Sequence, residues 1–256
     1  MKLSGIILTR NNEVGINKLI KSMRFCDEVI VVDDNSDDKT GAMAKKAGAR
    51  VLIRAVNSDF SAQRNFGLSK ARGEWVLFVD SDEMVSEKLG KEVIRSINSD
   101  NYDGYMIKRE DVFMGKTLRY GETGQMWLVR LARKDAGRWR RPVHEEWILN
   151  QKSNSKDQRA ENNIGRLKNA LIHKSHKTVV GFINKIITYS QIEAEYRVSL
   201  GVRVRWWEMI VYPWGKFVVN YIVKLGFLDG MQGFIMAEMM SIHSFLVRIF
   251  WYEKSR

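Results

Sequence analysis

The chain has 256 residues, 45% hydrophobic and 28% charged, which is ordinary for a folded protein and enough for one large domain or one domain with an appendage. Its net charge of +12 is not ordinary and implies a negative partner: nucleic acid, anionic lipid or a phosphorylated substrate. A single cysteine, Cys26, excludes an internal disulfide framework and a cysteine-based zinc site.

Leu3–Leu8 is a short apolar run that predicts a strand. It meets polar Arg10, Asn11 and Asn12 too soon to be a secretory signal, so no secretion is expected. Gly15–Arg24 has helical spacing at Ile16, Leu19, Ile20 and Met23. Glu28–Val32 predicts a second strand, Lys39–Ala47 a helix ending at Gly48, and Arg50–Ile53 a third strand. Ser61–Lys70 reads as a helix closed by Gly73, Glu74–Val79 as a fourth strand, Glu87–Ser96 as a helix and Tyr105–Lys108 as a strand. Strands alternating with helices of about ten residues indicate βαβ units and a mainly parallel sheet. Ligands of such sheets sit at the carboxyl ends of the strands. Thr9–Asn12, Asp33–Asp38 and Asp80–Glu83 should therefore share one edge.

Beyond residue 110 the alternation weakens. Leu128–Ala132 and Asn169–His173 predict strands on either side of the basic stretch RKDAGRWRRPVHEEW, and polar Gln151–Asn163 reads as a loop. From Thr178 the pattern is helical, with Val179, Phe182, Ile183, Ile186, Ile187 and Ile192 as an apolar stripe, and Gly233–Phe250 is a final Met-rich helix. Met209–Leu228 is apolar and aromatic but interrupted by Pro213, Lys216, Asn220 and Lys224. A spanning helix needs about twenty mostly uncharged apolar residues, so this segment reads as lying in a membrane interface, where Trp206, Trp207, Trp214 and Trp251 also suit the headgroup zone. The plainer alternative is a core helix with its indoles packed inside.

Two strand ends carry candidate chemistry. In VIVVDDNSDDKT, Asp33 and Asp34 end a strand, where a carboxylate can accept hydrogen bonds from a base edge or a ribose hydroxyl; Ser36, Asp37 or Asp38 alternatively caps the next helix. In VLFVDSDEMVS, Asp80 and Asp82 are two residues apart, about 7 Å on one side of an extended strand. Two oxygen ligands completed by a diphosphate and water is a usual way to hold Mg2+ or Mn2+. Arg64, upstream on a helix, can offset phosphate charge at the same edge. The bland readings are surface turns and a solvated helix face.

Taken together, ILTRNNE, VVDDNSDDKT, AQRNFGLSKARGEWVLFVDSDE and RLARKDAGRWRRPVHEEW resemble family-2 glycosyltransferases of the GT-A fold, closest to the bacterial branch that builds lipopolysaccharide core and related surface glycans. The likeness covers roughly residues 3–175, and the tail GFLDGMQGFIMAEMMSIHSFLV is similar to the end of that branch. The resemblance implies a GT-A (Rossmann-like) catalytic domain over 1–175 and a helical, membrane-associating region over 176–256. It also implies a nucleotide-sugar donor (UDP- or ADP-linked), Mg2+ or Mn2+, and inverting single displacement onto a lipid-linked or lipopolysaccharide-core acceptor. Carried over by residue, Thr9, Asn11 and Glu13 lie on the first nucleotide-binding loop, Asp33 contacts the base with Asp34 beside it, and Arg64 lies near the diphosphate. Asp80 holds the ribose or the metal, Asp82 the metal, and His173 is its third ligand, with His176 the alternative. Relatives carry Ser-Gly-Ser-Thr after the first Asp where this chain has Asp34-Asn35-Ser36-Asp37, which leaves the choice between Asp33 and Asp34 open. The base that deprotonates the acceptor is Glu145, with Glu146 second, unless both only pair with neighbouring arginines.

The basic residues Arg130, Arg133, Lys134, Arg138, Arg140 and Arg141, with His144, are expected to face the acceptor. Lys185, Arg197, Arg203, Arg205 and Lys216 are expected to meet anionic lipid on the inner face of the cytoplasmic membrane. Two other readings compete. A nucleotidyltransferase would need a Gly-rich loop where this chain has ILTRNNEVG. A basic nucleic-acid-binding protein would need a recognisable aromatic or zinc motif, which is missing, so no nucleic acid partner is expected.

Overall fold

In the computed structural model, which describes residues 1–99, 101–149, 163–174 and 178–256, the chain divides into two compact units. One comprises Met1–Arg109 and Trp127–His173; the other comprises Glu110–Met126 and Lys174–Arg256. His176 and all of the expected polar loop except Asn163 lie outside the described residues.

The elements run β1 (Leu3–Thr9), α1 (Ile16–Ser22), β2 (Glu28–Asp33), α2 (Thr40–Lys46), β3 (Arg50–Ile53), α3 (Phe60–Lys70), β4 (Trp75–Asp80), β5 (Glu83–Val85), α4 (Glu87–Ser99) and β6 (Gly104–Phe113). There follow β7 (Lys116–Thr117), β8 (Trp127–Arg133), β9 (Gly137–Arg140), β10 (Glu146–Leu149), β11 (Ile164–Arg166), β12 (Leu171–His173), α5 (Val179–Ser199), α6 (Glu208–Val218) and α7 (Met231–Lys254). In the first unit the strand order is β3-β2-β1-β4-β8-β6-β12-β5, with β11 beside β6. The first four strands are parallel, and β8 joins β4 antiparallel.

The central strands are buried on both faces, which is why they read as unbroken apolar runs. Period-2 alternation splits them cleanly. Ile7, Val31, Leu77 and Val79 pack on one side with α1 and α4 residues such as Leu19 and Leu89. Ile6, Val32, Val76 and Phe78 pack on the other with Leu68 of α3 and with Trp139 and Trp147 of the β9–β10 hairpin. Asp59 caps α3 by accepting from the Ala62 N–H at 2.9 Å. Gly67 lets α3 lie close on the sheet, since a Cβ there would stand 2.9 Å from Ile6 Cγ2. That seating brings Arg64, one turn earlier, to the end of β4.

In the second unit the end of β6 pairs with β7, and Phe113 and Leu118 pack against Phe182, Ile186 and Met236. The expected α5 stripe is only half buried: Phe182, Ile186 and Ile192 turn inward, while Val179, Ile183 and Ile187 are exposed. Asp229 is a knot in this unit. Its buried carboxylate accepts from the Arg119 and Tyr120 N–H groups, both at 2.9 Å, and its carbonyl accepts from Lys116 Nζ at 2.6 Å. Gly233, in the first turn of α7, lets the helix lie close on the preceding turn at Gly226–Asp229, because a Cβ would lie 2.0 Å from the Gly226 carbonyl oxygen. The segment Glu110–Met126 is thus fastened to the helices of its own unit.

Candidate active site

Parallel register aligns Thr9 with Asp33 and Leu8 with Asp80, so the polar ends of β1, β2 and β4 share one edge. The loops after β1 and β2 are laced together mainly by hydrogen bonds that involve backbone N–H groups. The Asn11 N–H donates to Ser36 Oγ at 2.9 Å, and the Asp37 N–H donates to Asn11 Oδ1 at 2.9 Å. The Asn12 N–H donates to Thr40 Oγ1 at 2.7 Å, the Glu13 N–H to Asp38 Oδ2 at 3.1 Å, and the Lys39 N–H to Glu13 Oε2 at 3.1 Å. Asn11 and Asn35 take positive φ (49° and 48°), a left-handed conformation that Asn tolerates. Thr9 and Asp33 are buried; Asp33 Oδ1 accepts from both the N–H and the hydroxyl of Ser36. Asp34 is more open, accepting from the Val56 N–H at 2.7 Å and pairing with Arg10 at 3.3 Å. Asn11 and Glu13, expected to line the nucleotide loop, therefore also brace it.

The end of β4 is different in kind. Asp80 accepts from Arg64 Nη2 at 2.8 Å on one oxygen and from Arg130 Nη2 at 2.6 Å on the other. Arg130 Nη2 also reaches Glu83 Oε1 at 3.1 Å, and Glu83 Oε2 accepts from the Asp80 N–H at 2.9 Å. Arg64 Nε donates to Glu145 Oε1 at 2.8 Å. The guanidinium of Arg64 lies over Trp139, 4.6 Å from the ring centroid, and Trp139 stacks on Trp147 at 5.5 Å. Asn65 imitates a strand edge: its Nδ2 donates to the Trp139 carbonyl and its Oδ1 accepts from the Trp139 N–H. The hairpin that carries Glu145 is thereby held against α3.

Burial opposes ionisation of Asp80, but the guanidiniums of Arg130 and Arg64 outweigh it and hold the carboxyl well below its ordinary range. For Glu83 burial prevails over Arg130, and its carboxyl is pushed up. Burial works against the charge of Arg130 and Arg64 too, yet Asp80 together with Glu83 or Glu145 raises both above the usual arginine range.

Asp82 and His173 meet at this edge, with His173 Nε2 3.2 Å from Asp82 Oδ2. Antiparallel pairing sets His173 opposite Glu83. Of the two candidate bases, Glu145 points to Arg64, whereas Glu146 is exposed in register with Arg140 across the hairpin. Arg138 and Arg140 are exposed on the face opposite Trp139. Arg141 and His144, in the turn before Glu145, both have positive φ (71° and 52°), a strained backbone of the sort that gathers at functional sites.

Arg130 corrects one expectation. It does not face an acceptor; it is buried between Asp80 and Glu83. Lys134 likewise donates to the Ala71 carbonyl, and Arg133 lies over Trp75. An arginine at the centre of the strand WLVRLAR, flanked on both sides by apolar residues, is the signal by which Arg130 is recognisable. Glu83 signalled itself only as the third acid of its cluster.

A divalent ion fits this edge in part. Among the described residues no three His, Cys, Asp or Glu side chains form a complete cage. Asp80 has both oxygens on arginines, while Asp82 and His173 stand together as two ligand groups. Arg64 and Arg130 are taken up by Asp80, Glu83 and Glu145, which leaves the Asp82 carboxylate beside His173 as the acid at this edge not held by a guanidinium in these pairs. Mg2+ and Mn2+ accept such incomplete protein shells when phosphate and water supply the rest.

A parallel half-sheet with acids at its carboxyl edge and an arginine-held carboxylate nearby is an arrangement for a charged ligand at the strand ends. The sequence matches Glycosyl transferase family 2 over residues 4–173, and the chain belongs to that family. It is 28% identical over 255 residues to an uncharacterized glycosyltransferase of Rickettsia typhi, covering 96% of this chain and 85% of that one. It is 26% identical over 263 residues to the lipopolysaccharide core biosynthesis glycosyltransferase LpsC of Rhizobium meliloti, covering 99% and 93%. Among solved structures it resembles the glucosyl-3-phosphoglycerate synthase of Mycobacterium tuberculosis in complex with Mn2+, UDP and phosphoglyceric acid. The TM-score there is 0.52 at 16% identity, over 79% of this chain and 80% of that one. The fold is GT-A, and the protein is a glycosyltransferase.

Proposed function

We propose that this glycosyltransferase moves a sugar, with inversion, from a UDP- or ADP-linked donor to a lipid-linked or lipopolysaccharide-core acceptor at the inner face of the cytoplasmic membrane. The observation that carries the catalytic reading is the convergence of Asp82, His173, Arg64 and Glu145 around the end of β4. The lipopolysaccharide acceptor is supported by the likeness to LpsC, and the donor class by the UDP-bound synthase of the same fold.

In this reading the base and ribose rest on the laced loops of β1 and β2, with Asp33 or Asp34 accepting hydrogen bonds from them. Asp82 and His173 would hold Mg2+ or Mn2+. When bound, that ion takes up the charge that develops on the departing diphosphate. Arg64 and Arg130 keep Asp80 ionised and add positive field at the same place. Glu145, fixed by Arg64, removes the proton from the acceptor hydroxyl. The hydroxyl oxygen then bonds to the anomeric carbon as the carbon–oxygen bond to the diphosphate breaks on the opposite face, and the nucleoside diphosphate leaves. Arg138, Arg140, Arg141 and His144 contact acceptor phosphate and sugar.

Isothermal titration of the full chain with a panel of nucleoside diphosphates and nucleotide-sugars, with and without Mn2+, tests this. Metal-dependent binding of one of them names the donor. No binding by the folded protein would overturn the reading.

A further inference from the structure

We propose that α6 and the turns after it form a monotopic docking surface that lies in the interface of an anionic bilayer, and that α7 does not cross the membrane. This rests on the membrane part of the function proposed above and gives it a location and a mode.

Almost half of the exposed large apolar side chains among the described residues fall between Trp206 and Met231. Trp206 is 73% exposed, Trp214 71%, Val223 67% and Met231 68%. Isolated exposed apolar groups are normal on a soluble surface, but a contiguous patch of them marks a contact. Helix α6 shows the conflict most clearly. Pro213 is its buried residue, while Ile210, Val211, Trp214 and Val218 are exposed. A helix that is apolar on its outer face as well as its inner one is stable there only if something apolar covers it.

The charge around the patch selects the cover. Arg203, Arg205 and Lys224 are exposed beside it, and Glu208 is the one acid of α6. A second copy of the chain related by a two-fold axis would bring these cations against their own likeness. An anionic lipid surface complements them, and Trp suits the headgroup depth. Lys216 and Arg197, two of the cations expected to meet lipid, are engaged within the unit by Glu122 and Glu193 and add little.

Helix α7 is long and apolar enough to span a bilayer by composition. Its Met236, Ala237, Val247 and Trp251 are buried within the unit, however, and Glu238, His243 and Arg248 interrupt it. It packs on α5 and α6 as a bundle member, with Ser241 Oγ donating to the Pro213 carbonyl and Arg248 over Tyr212. In-plane contact through α6 leaves this packing whole.

The test is sedimentation of the full chain with vesicles of phosphatidylethanolamine and phosphatidylglycerol, against vesicles of phosphatidylcholine alone. The wild type is expected to bind only the first and to be released from them by salt. The triple variant Trp206→Ser/Trp214→Ser/Val223→Ser, altered only at exposed side chains, is expected to lose at least about tenfold in vesicle affinity while keeping its nucleotide binding. Unchanged vesicle binding by that variant overturns the proposal. So does a wild type that ignores vesicles and forms a dimer that the triple variant breaks. A protein that binds vesicles but no nucleotide would defeat the catalytic reading and leave this one standing.

Discussion

The two acidic strand ends of the first unit are built on opposite principles. After β2, Asp33 is held by the N–H and hydroxyl of Ser36, three positions on, and Ser36 in turn accepts from the Asn11 N–H of the neighbouring loop. After β4, Asp80 is held by charged groups that arrive from α3 and β8, with Glu145 drawn in from the hairpin turn before β10. The first arrangement makes a rim whose acids are held mainly by backbone N–H groups and hydroxyls, suited in the proposed reaction to a base and ribose that are recognised but not altered. The second stores opposed charges at close range, suited to a diphosphate whose charge changes as a bond breaks. The cost of disturbing each should differ accordingly.

The largest effect is expected from Arg130→Met. It strands buried Glu83 and leaves Asp80 with Arg64 alone, and removing one partner of a buried ion pair costs about 3–5 kcal/mol. Thermal melting should fall by on the order of 10 °C, and Arg130→Lys should recover only part of it, because an ammonium lacks the planar fork. The sign of the pH dependence follows from Asp80. Its folded carboxyl lies below its unfolded value, so the pairing contributes stability above about pH 4 and loses it as the pH falls further. The stability gap between wild type and Asp80→Asn should therefore be full near neutrality and narrow below about pH 4. A gap that widens on acidification would contradict the charge assignment.

Next in size is Glu145→Gln, which should lower kcat by roughly 100- to 10,000-fold with little change in donor affinity. Glu146→Gln, on the outer face of the hairpin, should leave kcat near wild type. Equal losses in both variants would mean that the hairpin acts only as a scaffold. The smallest effect is expected on the rim after β2: Ser36→Ala removes the hydroxyl that joins Asp33 to Asn11, a loss of about 1 kcal/mol, read as a small rise in donor KM with kcat kept. A collapse of kcat in this variant would erase the contrast between the two strand ends.

What could be read in the sequence divides along the same line. The rim was legible because its residues sit in two short stretches, each an apolar strand followed by polar turn residues, although the contacts that join the two stretches span 25 or more positions. The β4 end was half legible. Asp80, Asp82 and Arg64 stand within one stretch, but Arg130 lies 50 residues on in a strand, and only the sheet order puts β8 beside β4. The hairpin was hidden in what reads as a basic stretch. Its alternation, Arg138-Trp139-Arg140 against Glu146-Trp147-Ile148, places the indoles inward and the charges out, and density of charge masked that period. In the second unit, α5 misled because half of its apolar stripe faces outward. Helical spacing reports which residues share a face and does not report what covers it.

The central claim is that Asp82 and His173 serve the metal while Asp80 serves the arginines. Manganese paramagnetic resonance titrations of the full chain with the nucleoside diphosphate it binds, run on wild type, Asp82→Asn and His173→Ala, test it most directly. The account predicts that wild type takes up Mn2+ tightly in the presence of nucleotide, and that both variants lose at least about tenfold in that affinity with their melting temperatures kept. Mn2+ uptake in Asp82→Asn equal to wild type would contradict it.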